Sequence, residues 1–290
     1  MILEAAATAG AVWGLRRLAH GAILRGLRVP RLAHSQGPDE QGIAADRVRE
    51  VRIPGPHGKQ LFGWLVSPPL AAQRPAPAVL AMHGWGANAA SMWPVVLPLH
   101  AAGFAVLLID ARCHGRSDDE SFTSMPRFAE DIAAGLAWLR LQPEIAADRL
   151  ALLGHSVGAA ASLLHASRHH DVRAVVSLSA FAHPREVMRS FMAEKRVPYP
   201  VLGWYVIRHV QRVIGVSFDE IAPLNTLPRV SCPTLLVHGR RDSVVPVNDA
   251  HRLLAASGRT RLLLVDADHD LRGSLAPHAQ TLTDFLLAAC

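Results

Sequence analysis

The stretch LALLGHSVGAA, Leu150 to Ala160, sets a serine between two glycines at the end of an apolar run. An apolar run, a glycine-flanked serine and then small residues read as a strand, a sharp turn and a helix. A serine hydroxyl becomes a nucleophile only when a positioned base removes its proton and the hydroxyl stands clear of the backbone. The turn meets the second requirement. Gly154 and Gly158 lack side chains, so strand and helix can close around Ser156. The helix that follows, with Ala159, Ala160 and Ala161 in its first turn, aims its amides at negative charge developing on a substrate oxygen. Glycine-flanked turns also serve packing alone, so the case for chemistry must come from the rest of the chain.

Outward from this stretch the chain alternates short apolar runs with longer helical patterns. AVLAM (Ala78 to Met82), AVLLID (Ala105 to Asp110), AVVSLSA (Ala174 to Ala180), TLLVHG (Thr234 to Gly239) and RLLLVD (Arg261 to Asp266) are continuously apolar, as strands buried on both faces require. RVREVRIP and LFGWLVSP read as a first strand pair around a turn at Pro54 to Gly58. Helical patterns cover Ala89 to Ala102, Met125 to Leu141, Val157 to His169, Val247 to Ala256 and Ser274 to Ala289. Such alternation predicts an α/β fold with a parallel sheet covered on both sides. More than 50 residues separate Ala180 from Thr234, where one helix would suffice. This insertion, residues 181–228, reads as a helical lid shaping the substrate pocket, with Trp204 and Tyr205 in its core or on the pocket wall.

The chain has 290 residues and is half hydrophobic and 19% charged, an ordinary globular composition. Its net charge is +6, but the arginines are scattered and no nucleic-acid motif accompanies them, so no nucleic acid is expected. The three cysteines, Cys113, Cys232 and Cys290, have no metal-site spacing and favour a reducing, cytoplasmic setting. Residues 1–41 are set apart as an N-terminal helix and linker, with His34 to Gly42 flexible. On a helical wheel Val12, Leu15, Leu18, Ala19, Ala22 and Ile23 share one side. Arg16, Arg17, His20, Arg25 and Arg28 take the other, with Leu24 and Leu27 as exceptions. Glu4 and the Arg16–Arg17 pair interrupt the run before it reaches spanning length. Residues 1–28 therefore suit peripheral contact with a membrane, or a helix that covers part of the domain.

In a parallel sheet, ligands bind beyond the carboxyl ends of the strands. There the sequence offers HGWG (His83 to Gly86), GHSVG, HGRRD ending in Asp242, and DADHD around His269. His269 is the candidate base for Ser156 and Asp242 the carboxylate that orients it. Asp249 is a weaker alternative acid, and Asp266, Asp268 and Asp270 stand near His269. The amides of Trp85 and Val157 are the candidate oxyanion donors. The run Ser117 to Glu120 reads as a solvated loop.

With these residues in view, the chain resembles the α/β-hydrolases, in the serine esterase and S9/S33-peptidase-like branch. GHSVG matches the nucleophile elbow, HGWG the oxyanion loop, and DARCHGRSD (Asp110 to Asp118) a loop that often reads D-x-R-G-x-G-x-S. Cys113 stands where glycine is usual. The order Ser156, Asp242, His269 is that of the family. The resemblance implies a mostly parallel sheet of about eight strands in a domain of residues 42–290. It also implies hydrolysis of a small-molecule ester through an acyl-enzyme, with no cofactor and no metal. Peptidase or thioesterase chemistry, or a silent binding scaffold, are the alternatives it leaves open. Oligomeric state is not readable.

Overall fold

The apolar runs become the strands β1 (Val48–Pro54), β2 (Gln60–Val66), β3 (Ala76–Met82), β4 (Ala105–Ile109), β5 (Ile145–His155), β6 (Ala174–Leu178), β7 (Thr234–Gly239) and β8 (Thr260–Val265). The computed structural model describes residues 2–72 and 75–290. The strands form one sheet in the order β1-β2-β4-β3-β5-β6-β7-β8. β2 pairs antiparallel with β1 and β4, and the pairs from β4 to β8 are parallel. The chain reverses its direction across the sheet after β4, so β3 lies between β4 and β5. A crevice therefore opens at the carboxyl ends of β3 and β5.

Helices follow the strands: α1 (Ile2–Gly26), α2 (Val96–Ala101), α3 (Met125–Leu139), α4 (Val157–His169), α5 (Pro184–Glu194), α6 (Trp204–Ile214), α7 (Phe218–Ile221), α8 (Pro223–Thr226), α9 (Val247–Ala256) and α10 (Ala279–Leu287). Two expected helices are shorter than their patterns. Residues 89–95 form a 3-10 turn containing Pro94 before α2, and Pro277 lies in a 3-10 turn before α10. Proline lacks the amide that a continuous helix needs. Both faces of the sheet are covered. Leu80 and Met82 of β3 join Phe128, Ile132, Leu136 and Leu163 in one core. Val79 and Ala81 join Trp93, Leu99, Phe285 and Leu286 in the other. The two-residue alternation of a strand thus divides one apolar run between two cores.

The insertion contains α5 to α8, and Met192, Ile207, Val210, Phe218 and Ile221 pack into the first core. Trp204 departs from its expected place, being 55% exposed. At the start of the insertion, Asp249 of α9 accepts a hydrogen bond from the Ala182 amide at 2.8 Å and pairs with Arg252 at 3.1 Å. Asp249 thus holds the insertion against α9. On α1, Ile23 and Leu27 at its end pack against the first core, whereas Leu18 is 70% exposed. The helix therefore docks by its C-terminal end. His20 Nδ1 lies 2.9 Å from His209 Nε2 on α6. Among the described residues, no helix is long and apolar enough to cross a membrane.

The strap after α1 and the loop after β4 are tightly held. The strap after α1 runs along the loop that follows β4. The Thr123 amide donates to Leu27 O at 3.1 Å, Arg31 donates to Ser117 O at 2.7 Å, and Asn88 donates to Leu32 O and Ala33 O at 3.0 and 3.1 Å. His34, expected to be flexible, packs its ring on Phe62 and Trp64 and reaches Asp110 at 2.9 Å. The run from Ser117 to Glu120 is structural rather than solvated. Ser117 Oγ donates to Asp110 O at 2.6 Å, the Asp118 carboxylate accepts from the Gln60 amide at 2.8 Å, and Glu120 accepts from Arg112 at 2.9 Å. Cys113 has φ 68°, the left-handed conformation in which glycine is usual.

Arg112 is the hub of this loop. Its side chain is 1% exposed and contacts Asp131 at 2.6 Å, Glu130 at 2.5 Å and Glu120 at 2.9 Å. Burial opposes its charge, but the three carboxylates together raise its pKa. Removing one partner of a buried ionic cluster strands the others without compensation. Arg112→Ala should accordingly lose about 3–5 kcal/mol of stability in urea unfolding, and a loss below ~1 kcal/mol would contradict the role given to the cluster.

Candidate active site

Ser156 begins the turn between β5 and α4 with φ 52° and ψ −115°. This backbone conformation is costly for any residue with a side chain. The two flanking glycines make it attainable. A Cβ on Gly158 would sit 2.3 Å from His83 O, and one on Gly154 would sit 2.4 Å from Gly158 O. The Ser156 amide donates to Leu178 O at 2.8 Å, tying the turn to the end of β6.

The sheet register brings the other candidates to this turn. Met82 pairs with Gly154, so HGWG after β3 lies beside the serine turn. A Cβ on Gly84 would be 3.3 Å from Ser156 Cβ, which puts the HGWG loop in contact with the serine turn. Buried His83 fixes that loop by donating from Nδ1 to Gly84 O at 2.7 Å and accepting the Ala111 amide at Nε2 at 3.0 Å. Burial pushes the His83 pKa down to about 3, which keeps Nε2 an acceptor. His114 plays a similar part, donating from Nδ1 to Arg112 O at 2.9 Å and accepting the Gly86 amide at 3.3 Å. Val157 opens α4, so its amide is one of the free donors at a helix start.

Gly239 pairs with Val265 where β7 and β8 end. A Cβ there would be 2.3 Å from Asp268 O, so only glycine lets the following loop cross the end of β7. The crossing brings His269 to Asp242. His269 Nδ1 is 2.8 Å from Asp242 Oδ2, and its Nε2 is 3.1 Å from Ser156 Oγ. The Asp242 side chain is wholly buried and the His269 ring is one-fifth exposed. Asp242 Oδ1 accepts the Val244 and Val245 amides at 2.9 and 2.7 Å. Burial would raise the Asp242 pKa, but hydrogen bonds from His238, His269 and Val245 outweigh it and hold the carboxyl well below its usual range.

Among the aspartates considered from the sequence, Asp242 is the one described as accepting a hydrogen bond from His269. Asp249 serves the insertion, Asp266 pairs with Arg241 at 2.9 Å, and Asp268 accepts the Asp270 amide at 3.0 Å. Two histidines were not singled out by sequence. His238 Nε2 donates to Val245 O at 2.9 Å and lies 3.4 Å from Asp242 Oδ2. His155, next to the serine, lies 2.9 Å through Nε2 from His269 O. Their only sequence signal is that each directly abuts a motif residue, in GHS and VHG.

A cleft of about 360 Å³ lies against His155 and Trp85 near the serine turn, bounded also by Met92, Leu178, Leu271 and Leu275, with Ser156 and His269 outside its lining. Its outer wall is the strap, through Leu32, Ala33 and Ser35. No residue of the insertion, expected to shape the pocket, lines this cleft.

Comparison with known proteins agrees with this architecture. The family model described as "Serine aminopeptidase, S33" matches residues 73–214. Est1E from Butyrivibrio proteoclasticus, solved with ferulic acid bound, superposes with a TM-score of 0.67 at 20% identity, covering 82% of this chain and 98% of that one. The esterase Pf2001 of Pyrococcus furiosus superposes with a TM-score of 0.70 at 21% identity, covering 90% and 99%. The chain has the α/β-hydrolase fold. Among curated relatives, the uncharacterized protein YfhR of Escherichia coli is 26% identical over 90% of this chain and 89% of its own. The esterase YjfP of the same organism is 27% identical over 71% of this chain and 85% of its own. These likenesses support hydrolase chemistry.

The His83 clamp makes stability depend on pH. An unfolded histidine titrates near 6.5 whereas folded His83 titrates near 3, so between these values the unfolded chain binds the extra proton and stability falls as pH falls. From pH 7.5 to 5 this one residue should cost about 2 kcal/mol, read as a lower urea midpoint. A midpoint unchanged over that interval would contradict the buried neutral state.

Proposed function

We propose that the protein is a serine hydrolase that cleaves carboxylic esters through an acyl-enzyme. The observation that carries the reading is the unbroken chain of hydrogen bonds from Ser156 through His269 to Asp242, at 3.1 and 2.8 Å, on a turn that holds the serine at φ 52°. In this reading Ser156 Oγ attacks the ester carbonyl carbon while His269 Nε2 takes its proton. The amides of Trp85 and Val157 receive the oxyanion. His269 returns the proton to the alkoxide leaving group, and a water activated by the same nitrogen then releases the acid. Asp242 remains a carboxylate throughout, since its hydrogen bonds favour the charged form. It fixes the His269 tautomer and stabilises the imidazolium.

The apolar cleft near the serine turn suits an apolar acyl or aromatic group. Ester cleavage is favoured over other acyl transfers by YjfP and Pf2001, both named esterases. The aminopeptidase description of the matching family model favours a second reading, cleavage of an N-terminal aminoacyl amide.

Ser156→Ala should reduce turnover of a short p-nitrophenyl ester by about 10⁶-fold in kcat, and a fluorophosphonate probe should label the original chain but not the variant. Persisting turnover or labelling would reject Ser156 as the nucleophile. Asp242→Asn should lower kcat by about 10⁴-fold, whereas Asp266→Asn and Asp268→Asn should leave it within about threefold because neither accepts from His269. Equal losses at all three positions would remove the distinction. A panel of p-nitrophenyl esters, acyl thioesters and aminoacyl amides separates the two readings, with higher kcat/KM on the esters expected.

A further inference from the structure

Although basic residues are spread along the chain, the excess of positive over negative charge falls in two segments. Residues 1–28 and 181–216 hold ten arginines and lysines against three glutamates, whereas the remainder of the chain holds 20 against 21. These two segments meet in the fold. His20 and His209 join α1 to α6 at 2.9 Å with ring centroids 5.2 Å apart. A Cβ on Gly203, just before α6, would touch Met192 of α5 at 3.4 Å. Helices α1, α5 and α6 therefore form one basic cap.

The cap also exposes large apolar side chains in a repeated arrangement. Trp13 on α1 is 60% exposed, Phe191 on α5 is 55% and Trp204 on α6 is 55%. Each carries a cation four residues later over its ring: Arg17 at 4.4 Å, Lys195 at 5.8 Å and Arg208 at 5.4 Å from the centroids. Leu18 and Leu202 are exposed near them, at 70% and 49%. Exposed rings are costly in water, and a positive charge above each ring does not remove that cost. At a membrane surface both parts are satisfied. The rings enter the headgroup region and the neighbouring cations meet lipid phosphates.

We propose that the cap formed by α1, α5 and α6 docks on an anionic lipid bilayer, with Trp13, Phe191 and Trp204 inserted and Arg17, Lys195 and Arg208 on the phosphates. Rings beside cations also suit the stacked bases of a single-stranded nucleic acid, whereas Leu18 and Leu202, exposed as well, suit a lipid surface, and the RNA competition below separates the two. The docking lies outside the proposed catalytic machinery and stands independently of which bond Ser156 cleaves. It presents the protein to substrates dissolved in, or released from, a lipid surface.

The test is co-sedimentation of the full chain with phosphatidylcholine vesicles containing 25% phosphatidylglycerol, against pure phosphatidylcholine, at about 0.05 and 0.5 M salt. Binding should be at least about tenfold tighter to the anionic vesicles and should weaken with salt. The triple variant Trp13→Ala, Phe191→Ala, Trp204→Ala should weaken it about tenfold, as should Arg17→Glu, Lys195→Glu, Arg208→Glu. Both variants should keep the original melting temperature and rate on a soluble ester, which establishes that the fold is intact. Absence of vesicle binding, equal binding to both vesicle types, or binding unaffected by either triple variant would overturn the proposal. So would displacement of the vesicles by an equimolar RNA oligonucleotide.

Discussion

Ser156 holds a backbone conformation that a residue with a side chain avoids, at a typical cost of about 1–3 kcal/mol, and the site is arranged around keeping it there. β5 supplies the rigid approach, α4 the rigid departure, and the Leu178 carbonyl the bond that pins the amide between them. The turn is also a point of close packing. Gly158 lies against the backbone of the β3 loop, and Gly84 of that loop lies against Ser156. One constraint therefore fixes two things, the backbone of Ser156 and the nearness of the HGWG loop.

A second layer of polar contacts supports this arrangement from behind. Asp110, buried at the end of β4, accepts the Ala89 and Arg116 amides at 2.7 Å each and the ring of His34. Burial raises its pKa, but these partners outweigh that effect and the net shift is downward. It joins three segments: the strap, the turn after the HGWG loop, and the loop after β4. Arg112, two residues on, fixes the same loop to α3 through Asp131. Neither residue approaches the reacting atoms, but His83 and His114 rest on the backbone that they hold.

The sequence made the sheet, the serine turn and the approximate places of Asp242 and His269 legible, because each depends on local pattern: an apolar run and the residues just after it. What it left open depended on contacts between distant parts of the chain. Choosing Asp242 over Asp266 or Asp268 requires knowing that the His269 loop crosses β7 at Gly239. The roles of His34, Asn88 and Ser117 were hidden because Asp110, Leu32 and Phe62, whose amide donates to Ser117 Oγ, lie 76, 56 and 55 residues away from them. A polar residue in a loop reads as solvated until its partner is known. The strap of Leu32 to Ser35, which lines a cleft near the serine turn, was also hidden, because it carries no pattern of its own.

That strap separates two properties that enzymes often combine. The groups that would make and break bonds sit on strand ends of the sheet, but one wall of the cleft is contributed by a segment that precedes β1 and contains none of them. Its hold on the body is a handful of hydrogen bonds, from Asn88 and to Asp110. Changes in this short piece of chain can reshape what the cleft admits while the proton-transfer geometry stays as it is, so selectivity and reactivity in this molecule are free to vary separately.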